Sequence, residues 1–193
     1  MANDAEVRFL VAAPGQAGEV LAVLDEAAAW LQARGVEQWP SRFEQSWVEG
    51  AVRRGETWLA LAGGTVCGTV TLDHGDPVWD DRPAAALYVH RMAVRRSAAG
   101  LGTVILRWAA GVAREQGREA LRLDCVASNG PLRAYYEAAG FVHRGDATVA
   151  GAPGQRLDEG PVTVVSRYER RLGPAAWRAG PAPPRAHWGS RPR

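Results

Sequence analysis

The chain contains no lysine; all 23 of its basic residues are arginine. It therefore offers no lysine side chain for modification, and a Gly-x-x-x-x-Gly-Lys-Ser/Thr phosphate loop is excluded. The absence fits GC-rich coding and carries no functional reading of its own. Cysteine is nearly as scarce, with Cys67 and Cys125 alone. Neither belongs to a Cys-x-x-Cys pair or a Cys/His cluster, so no structural zinc site and no metal is expected. They read as two reduced thiols of a cytoplasmic protein. No run approaches the roughly 18 apolar residues of a membrane span, so no membrane partner is expected. The opening MANDAEVRFLVAAPG has acids early and only a short apolar stretch, unlike a secretory signal.

Acid is also missing from one place. Residues 173–193 (GPAAWRAGPAPPRAHWGSRPR) hold four arginines, five prolines and no carboxylate. Without them 19 arginines face 21 acids, so the formal +2 of the whole chain hides a body of −2. Such a tail cannot form a core and reads as a disordered extension to one domain spanning residues 1–172. Its tryptophans and arginines could touch nucleic acid, but no reading module is spelled out.

What is present is ordinary globular patterning, 47% hydrophobic and 23% charged. Residues 7–12 read as a strand. Val20, Leu21, Leu24, Ala27, Ala28 and Leu31 share one face of a helix from about residue 17 to 34. Ser41 is placed to cap a second helix running to about Arg54. TWLALAG and TVCGTVTLD are strands joined by a Gly63-Gly64 turn, and residues 84–94 form a longer strand. Leu101, Val104, Ile105, Trp108 and Val112 align on the next helix. Residues 120–127 are a strand, Asn129-Gly-Pro opens another helix, and strands follow from about 141 and over 162–172. The middle hairpin argues against a pure βα alternation; a mixed sheet with helices on both faces is expected.

RRSAAGLGTVILRWA (95–109) sets two glycines at a helix start. A helix N-terminus carries unpaired N–H groups and partial positive charge, and glycines there let a phosphate approach the backbone. A tight turn needs the same residues. The dinucleotide fingerprint would require a glycine or alanine three residues beyond Gly102, where Ile105 stands.

Downstream, LRLDCVASNGPLRAYYEAAGF joins a strand, an asparagine and a helix ending in Tyr136-Glu137-Ala138-Ala139-Gly140-Phe141. With Ser97-Ala98-Ala99-Gly100-Leu101-Gly102, this resembles the GCN5-related N-acetyltransferase (GNAT) superfamily over roughly residues 6–172. The resemblance implies a mixed, mostly antiparallel twisted sheet whose central parallel strands, LYVHRMAV and LRLDCVAS, splay apart. Pantetheine would enter that gap beside Met92, Ala93 and Val94. The backbone of Gly100, Leu101, Gly102 and Thr103 would face the pyrophosphate of acetyl-CoA, a cosubstrate. Ser97 stands where the family has Gln or Arg, and the loop is about two residues short; Arg95, Arg96 or Arg107 could compensate.

By the same resemblance Tyr136 is the general acid that protonates the leaving thiolate, and Tyr135 is the packed neighbour. Asn129 holds pantetheine or caps the helix. His90 is the candidate base, with Asp73, His74, Asp76 and Asp124 as alternatives. Trp30, Trp39, Trp47 and Trp79 are candidates to line an acceptor pocket. Cys125 lacks the visible histidine and acid of a covalent catalyst. The reading is acetyl transfer to a small-molecule primary amine. A protein N-terminal acetyltransferase and a non-catalytic acyl-CoA sensor are the rivals. Oligomeric state stays open, a homodimer included.

Overall fold

The expected hairpin about Gly63-Gly64 forms, and the sheet grows outward from it. The computed structural model describes residues 7–150 and 162–173. Its seven strands are β1 (Val7–Val11), β2 (Thr57–Ala62), β3 (Thr65–Asp73), β4 (Ala86–Val94), β5 (Ala120–Val126), β6 (Val142–Ala150) and β7 (Val162–Arg171). They lie in the order β1-β2-β3-β4-β5-β7-β6. Only β4 and β5 run parallel; the other pairs are antiparallel. The four α-helices are α1 (Ala17–Gln32), α2 (Ser46–Arg53), α3 (Leu101–Glu115) and α4 (Gly130–Ala138). The proposed tail, residues 173–193, lies outside the described residues apart from Gly173.

The apolar stripe of α3 (Ile105, Leu106, Ala109, Ala110 and Ala113) packs on one face of the sheet against Leu87, Val89, Leu121 and Leu123. Trp108 stacks on Phe9 at 4.2 Å and meets Trp58 edge-on, tying the helix to β1 and β2. On the other face Val20, Val23, Leu24 and Ala28 of α1 join Val48 and Val52 of α2 over Leu59 and Ala93. Among the described residues no helix is long and apolar enough to cross a membrane.

The second helix begins at Ser46, not after Ser41. The Phe43 N–H donates to the Asp25 carboxylate at 2.9 Å instead of to a helical carbonyl. Phe43 is buried, edge-on to Trp39 and Trp47. Burying that ring holds residues 36–45 as an irregular wall above the sheet.

Two irregularities in β4 position the site. Its pairing with β5 covers only Ala86↔Ala120, Leu87↔Leu121 and Tyr88↔Arg122, and then the strands part. At that last pair a buried ion pair closes the fork: Arg122 Nη2 is 2.7 Å from a Glu169 carboxylate oxygen, both side chains 4% exposed. Arg122 also donates to the Arg82 carbonyl and to the Tyr88 hydroxyl, and lies over the Trp79 ring. Beyond the fork β4 carries one extra residue. Thr71 pairs with His90 but Thr69 with Ala93, so Arg91 and Met92 share the place opposite Val70. Arg91 takes φ 46°, a conformation costly for a residue with a Cβ.

Candidate active site

The open fork leads into a cavity of about 1020 Å³. Its walls include Val89 to Val94 of β4, Asp124 and Val126 of β5, Gly102 at the start of α3, and Asn129, Tyr135 and Tyr136 around α4. Trp30, Trp39 and Trp47 close it from the α1–α2 side. Sequence positions 27 to 165 are thus gathered around one space, and most of the residues singled out from the sequence are there.

The N-terminus of α3 answers what the two glycines make room for. Gly100 is its N-cap with φ 92°, the left-handed region that glycine enters without a steric penalty. Gly102 is buried, and a Cβ there would stand 2.7 Å from the Tyr135 hydroxyl. Tyr135 packs against the core as expected, but it is only partly buried. Its phenol reaches over the first turn of α3, 3.5 Å from Thr103 Oγ1. Leu101 turns its side chain into the core, leaving its backbone toward the loop. Ser97, Gly100, Leu101 and Thr103 are not among the cavity-lining residues.

Arg95 is not available to a phosphate. Its Nε donates to the Val66 carbonyl and its Nη1 pairs with Glu26 of α1 at 2.6 Å. The Arg96 N–H donates to the other Glu26 oxygen, and the Arg96 guanidinium lies over Trp30, as does that of Arg34. Glu26 thus anchors the loop that precedes α3. The Arg96 N–H, then Arg95, hold its carboxyl below the ordinary value of 4.5, against the opposing pull of desolvation. Because the folded value is depressed, this contribution is present above about pH 4.5 and fades as pH falls through it. Replacing Glu26 with alanine is expected to lower the melting temperature at pH 7. That difference should close on acidification, and acetyl-CoA affinity at pH 7 should drop several-fold. Paired thermal melts across pH 3–7, with calorimetry at pH 7, check it.

Tyr136 is 7% exposed, set among Tyr135, Phe141 and Tyr168 with ring centroids 5.6–6.0 Å away. Burial, then the neighbouring Cys125, Tyr135 and Asp124, push its phenol well above the ordinary value of 10. It stays protonated throughout the neutral range while still reaching the cavity wall. Cys125 is fully buried, and burial pushes its thiol up to about 12. A thiol that holds its proton so firmly is a poor nucleophile at neutral pH.

His90 projects from β4 just before the extra residue. Its Nε2 is 3.8 Å from Asp76 Oδ2. Asp76 is 4% exposed and its Oδ1 accepts the Val78 N–H. Asp76, His90 and Asp124 set one ligand atom each within 4.8 Å of one another. Three of the five base candidates are thereby brought together. Asp73 lines the cavity apart from them. His74 is turned away, 3.0 Å from Arg118 Nη2. Two carboxylates and an imidazole are also donors suited to a divalent cation; a search for Cys/His spacing could not reveal them.

Two expectations change. Trp79 does not line the cavity: it is 1% exposed and packs with Ala86, Tyr88 and Ala120 under Arg122. Gln38, not singled out in the sequence, enters the site from the irregular wall. Its Oε1 accepts from the Val126 N–H at 3.2 Å and from Asn129 Nδ2 at 3.1 Å. Asn129 meanwhile caps α4, its Oδ1 accepting the Leu132 N–H. No local pattern marks Gln38, whose partners lie 88 and 91 residues away.

Residues 23–141 match the model of the Acetyltransferase (GNAT) family. The chain belongs to that family. The acetyltransferase is 28% identical over 159 residues to the uncharacterized N-acetyltransferase YesJ of Bacillus subtilis (strain 168), covering 77% of this chain and 86% of YesJ. Its fold is shared with a GNAT-family acetyltransferase from Listeria monocytogenes 4b F2365, with TM-score 0.69, 23% identity, and 89% and 98% of the two chains covered. It is shared too with yncA from Salmonella typhimurium, solved with its cofactor acetyl-CoA, at TM-score 0.59, 14% identity, and 90% and 98% coverage. The mostly antiparallel sheet with one parallel pair and helices on both faces is the architecture the resemblance implied.

Proposed function

We propose that the acetyltransferase moves acetyl from acetyl-CoA to the primary amine of a small molecule by direct attack. The carrying observation is the β4–β5 fork, which opens onto a cavity walled by Tyr136, His90 and Gly102 in the first turn of α3. Pantetheine lies in the fork along Met92, Ala93 and Val94, whose edge is no longer paired with β5. The N–H groups of Gly100, Leu101, Gly102 and Thr103 hold the pyrophosphate, aided by the helix dipole. Ser97 and Asn129 complete the cosubstrate's contacts.

His90, set between the Asp76 and Asp124 carboxylates, takes a proton from the incoming ammonium. The amine nitrogen then bonds to the thioester carbonyl carbon, and the C–S bond breaks as the tetrahedral centre collapses. The sulfur leaves with the bonding pair and receives the Tyr136 proton. The high barrier to ionising Cys125 supports this route over an acyl-enzyme.

Titration calorimetry with acetyl-CoA, set against acetyl-pantetheine lacking the pyrophosphate, tests the binding half. Micromolar affinity for the first and at least tenfold weaker binding of the second is expected. CoA release in the presence of an amine panel tests the chemistry. Binding with no turnover on any amine would favour a non-catalytic acyl-CoA sensor. No binding at millimolar acetyl-CoA would overturn the reading.

A further inference from the structure

The orientation of one buried amide says what the acceptor must carry. A backbone N–H can only donate, and it fixes which end of an amide side chain faces it. The Leu132 N–H donates to Asn129, so the oxygen of that amide faces α4 and its nitrogen faces Gln38. That nitrogen and the Val126 N–H both donate to Gln38, so the Gln38 oxygen faces β5. Neither amide can be turned over without setting donor against donor. The Gln38 Nε2 is left as the opposite end. Gln38 is only 9% exposed and lines the cavity, and among the described residues its Nε2 makes no hydrogen bond. That donor pair keeps its accessible surface at the cavity wall, where water meets it until an oxygen of an entering molecule takes the water's place.

We propose that Gln38 is a specificity-determining residue whose Nε2 donates to a carboxylate or carbonyl oxygen next to the acceptor's amine, so that the acceptor is an amino-acid-like molecule. This rests on the acetyl-transfer reading above and adds the acceptor class. Asp124, beside the His90 base, and Val126, whose N–H holds Gln38, stand two residues apart on β5, about 7 Å along the strand. Both positions open onto the same cavity, so the base and the Gln38 amide face one space. Arg34, Arg54, Arg91 and Arg96 line the cavity with Asp73 and Asp124, so positive side chains outnumber negative ones around an entering anionic group. Trp39 and Trp47 give an apolar wall to the remaining side chain.

The test pairs each α-amino acid with its decarboxylated amine: phenylalanine with phenethylamine, and methionine with 3-(methylthio)propylamine. The readout independent of turnover is the Gln38 side-chain NH₂ signal in ¹H–¹⁵N spectra of the wild-type protein. It is expected to shift with the amino acids and not with the amines. In CoA-release kinetics the amino acids should show at least tenfold higher kcat/KM. The Gln38→Glu protein keeps an oxygen for Val126 and Asn129 but replaces the donor. Its KM for the amino acids should rise at least tenfold, with KM for the amines and Kd for acetyl-CoA unchanged within twofold. An unmoved NH₂ signal, equal use of both members of each pair, or a change confined to acetyl-CoA affinity would overturn the proposal. The last would mean that Gln38 serves the cosubstrate's carbonyls. A shifted signal without acetyl-CoA binding would instead sink the acetyl-transfer reading and leave the contact standing.

Discussion

The Tyr136→Phe protein is expected to bind acetyl-CoA as the wild type does and to turn over about 10²–10⁴ times more slowly. Phenylalanine keeps the ring and its contacts with Tyr135, Phe141 and Tyr168, so the core of α4 is preserved. Only the hydroxyl is lost, and with it the proton for the departing thiolate. Calorimetry would show an unchanged Kd, and CoA release under saturating acetyl-CoA would show the lowered kcat. The pH profile adds a second check. Burial raises the phenol above its ordinary value of 10, so Tyr136 stays a competent acid throughout the neutral and mildly alkaline range. The raised value also has a stability consequence: the phenol's contribution is intact below about pH 10 and is lost above it, as the unfolded chain ionises first. A Tyr136→Phe enzyme with wild-type kcat would remove the general acid from the mechanism.

The largest loss of stability is expected at the base of the fork. Glu169→Ala should cost about 3–5 kcal/mol, because it leaves the Arg122 charge buried without its carboxylate. Two guanidinium nitrogens of Arg122, at 2.9 and 2.7 Å, converge on one Glu169 oxygen. Arg144 and Arg171 donate to the other at 3.1 Å. Desolvation drives the Glu169 carboxyl upward, but Arg122, Arg171 and Arg144 together bring it below 4.5. Its stabilisation is therefore full above about pH 4.5 and declines as pH falls through the depressed value. Urea denaturation at pH 7 measures the loss, and the gap between wild type and variant should narrow toward pH 3. A gap below about 1 kcal/mol at pH 7 would mean that water reaches Arg122 freely, as at an exposed pair.

Much of the frame was legible in the sequence because it depends on local patterns. The stripes of α1 and α3, the Gly63-Gly64 turn between β2 and β3, and the Asn129 cap each sit within a few residues. The Tyr-Glu-x-x-Gly-Phe register marks Tyr136, not Tyr135, as the candidate acid. What escaped was non-local. Whether Ser41 or Ser46 begins α2 is decided by Asp25, 18 residues from Phe43. Arg95 looks like a phosphate ligand until Glu26, 69 residues away, is seen to hold it. Trp79 and Trp39 look alike as letters, yet one is covered by a buried arginine and the other faces the cavity.

The extra residue in β4 carries a consequence of its own. Before it, Leu87 and Val89 face the α3 core; after it, Met92 and Val94 do, while Ala93 joins α1 and α2. Odd positions become even ones across Arg91. If Arg91 were excised, the strand would fall into one unbroken alternation and every neighbour would keep its face. Arg91 is thus surplus to the alternation of the strand, and it lines the cavity instead. A chain shorter by that residue would keep the facing of every other β4 side chain while shifting Met92 to Val94, where the cosubstrate is proposed to lie, by one place along β3.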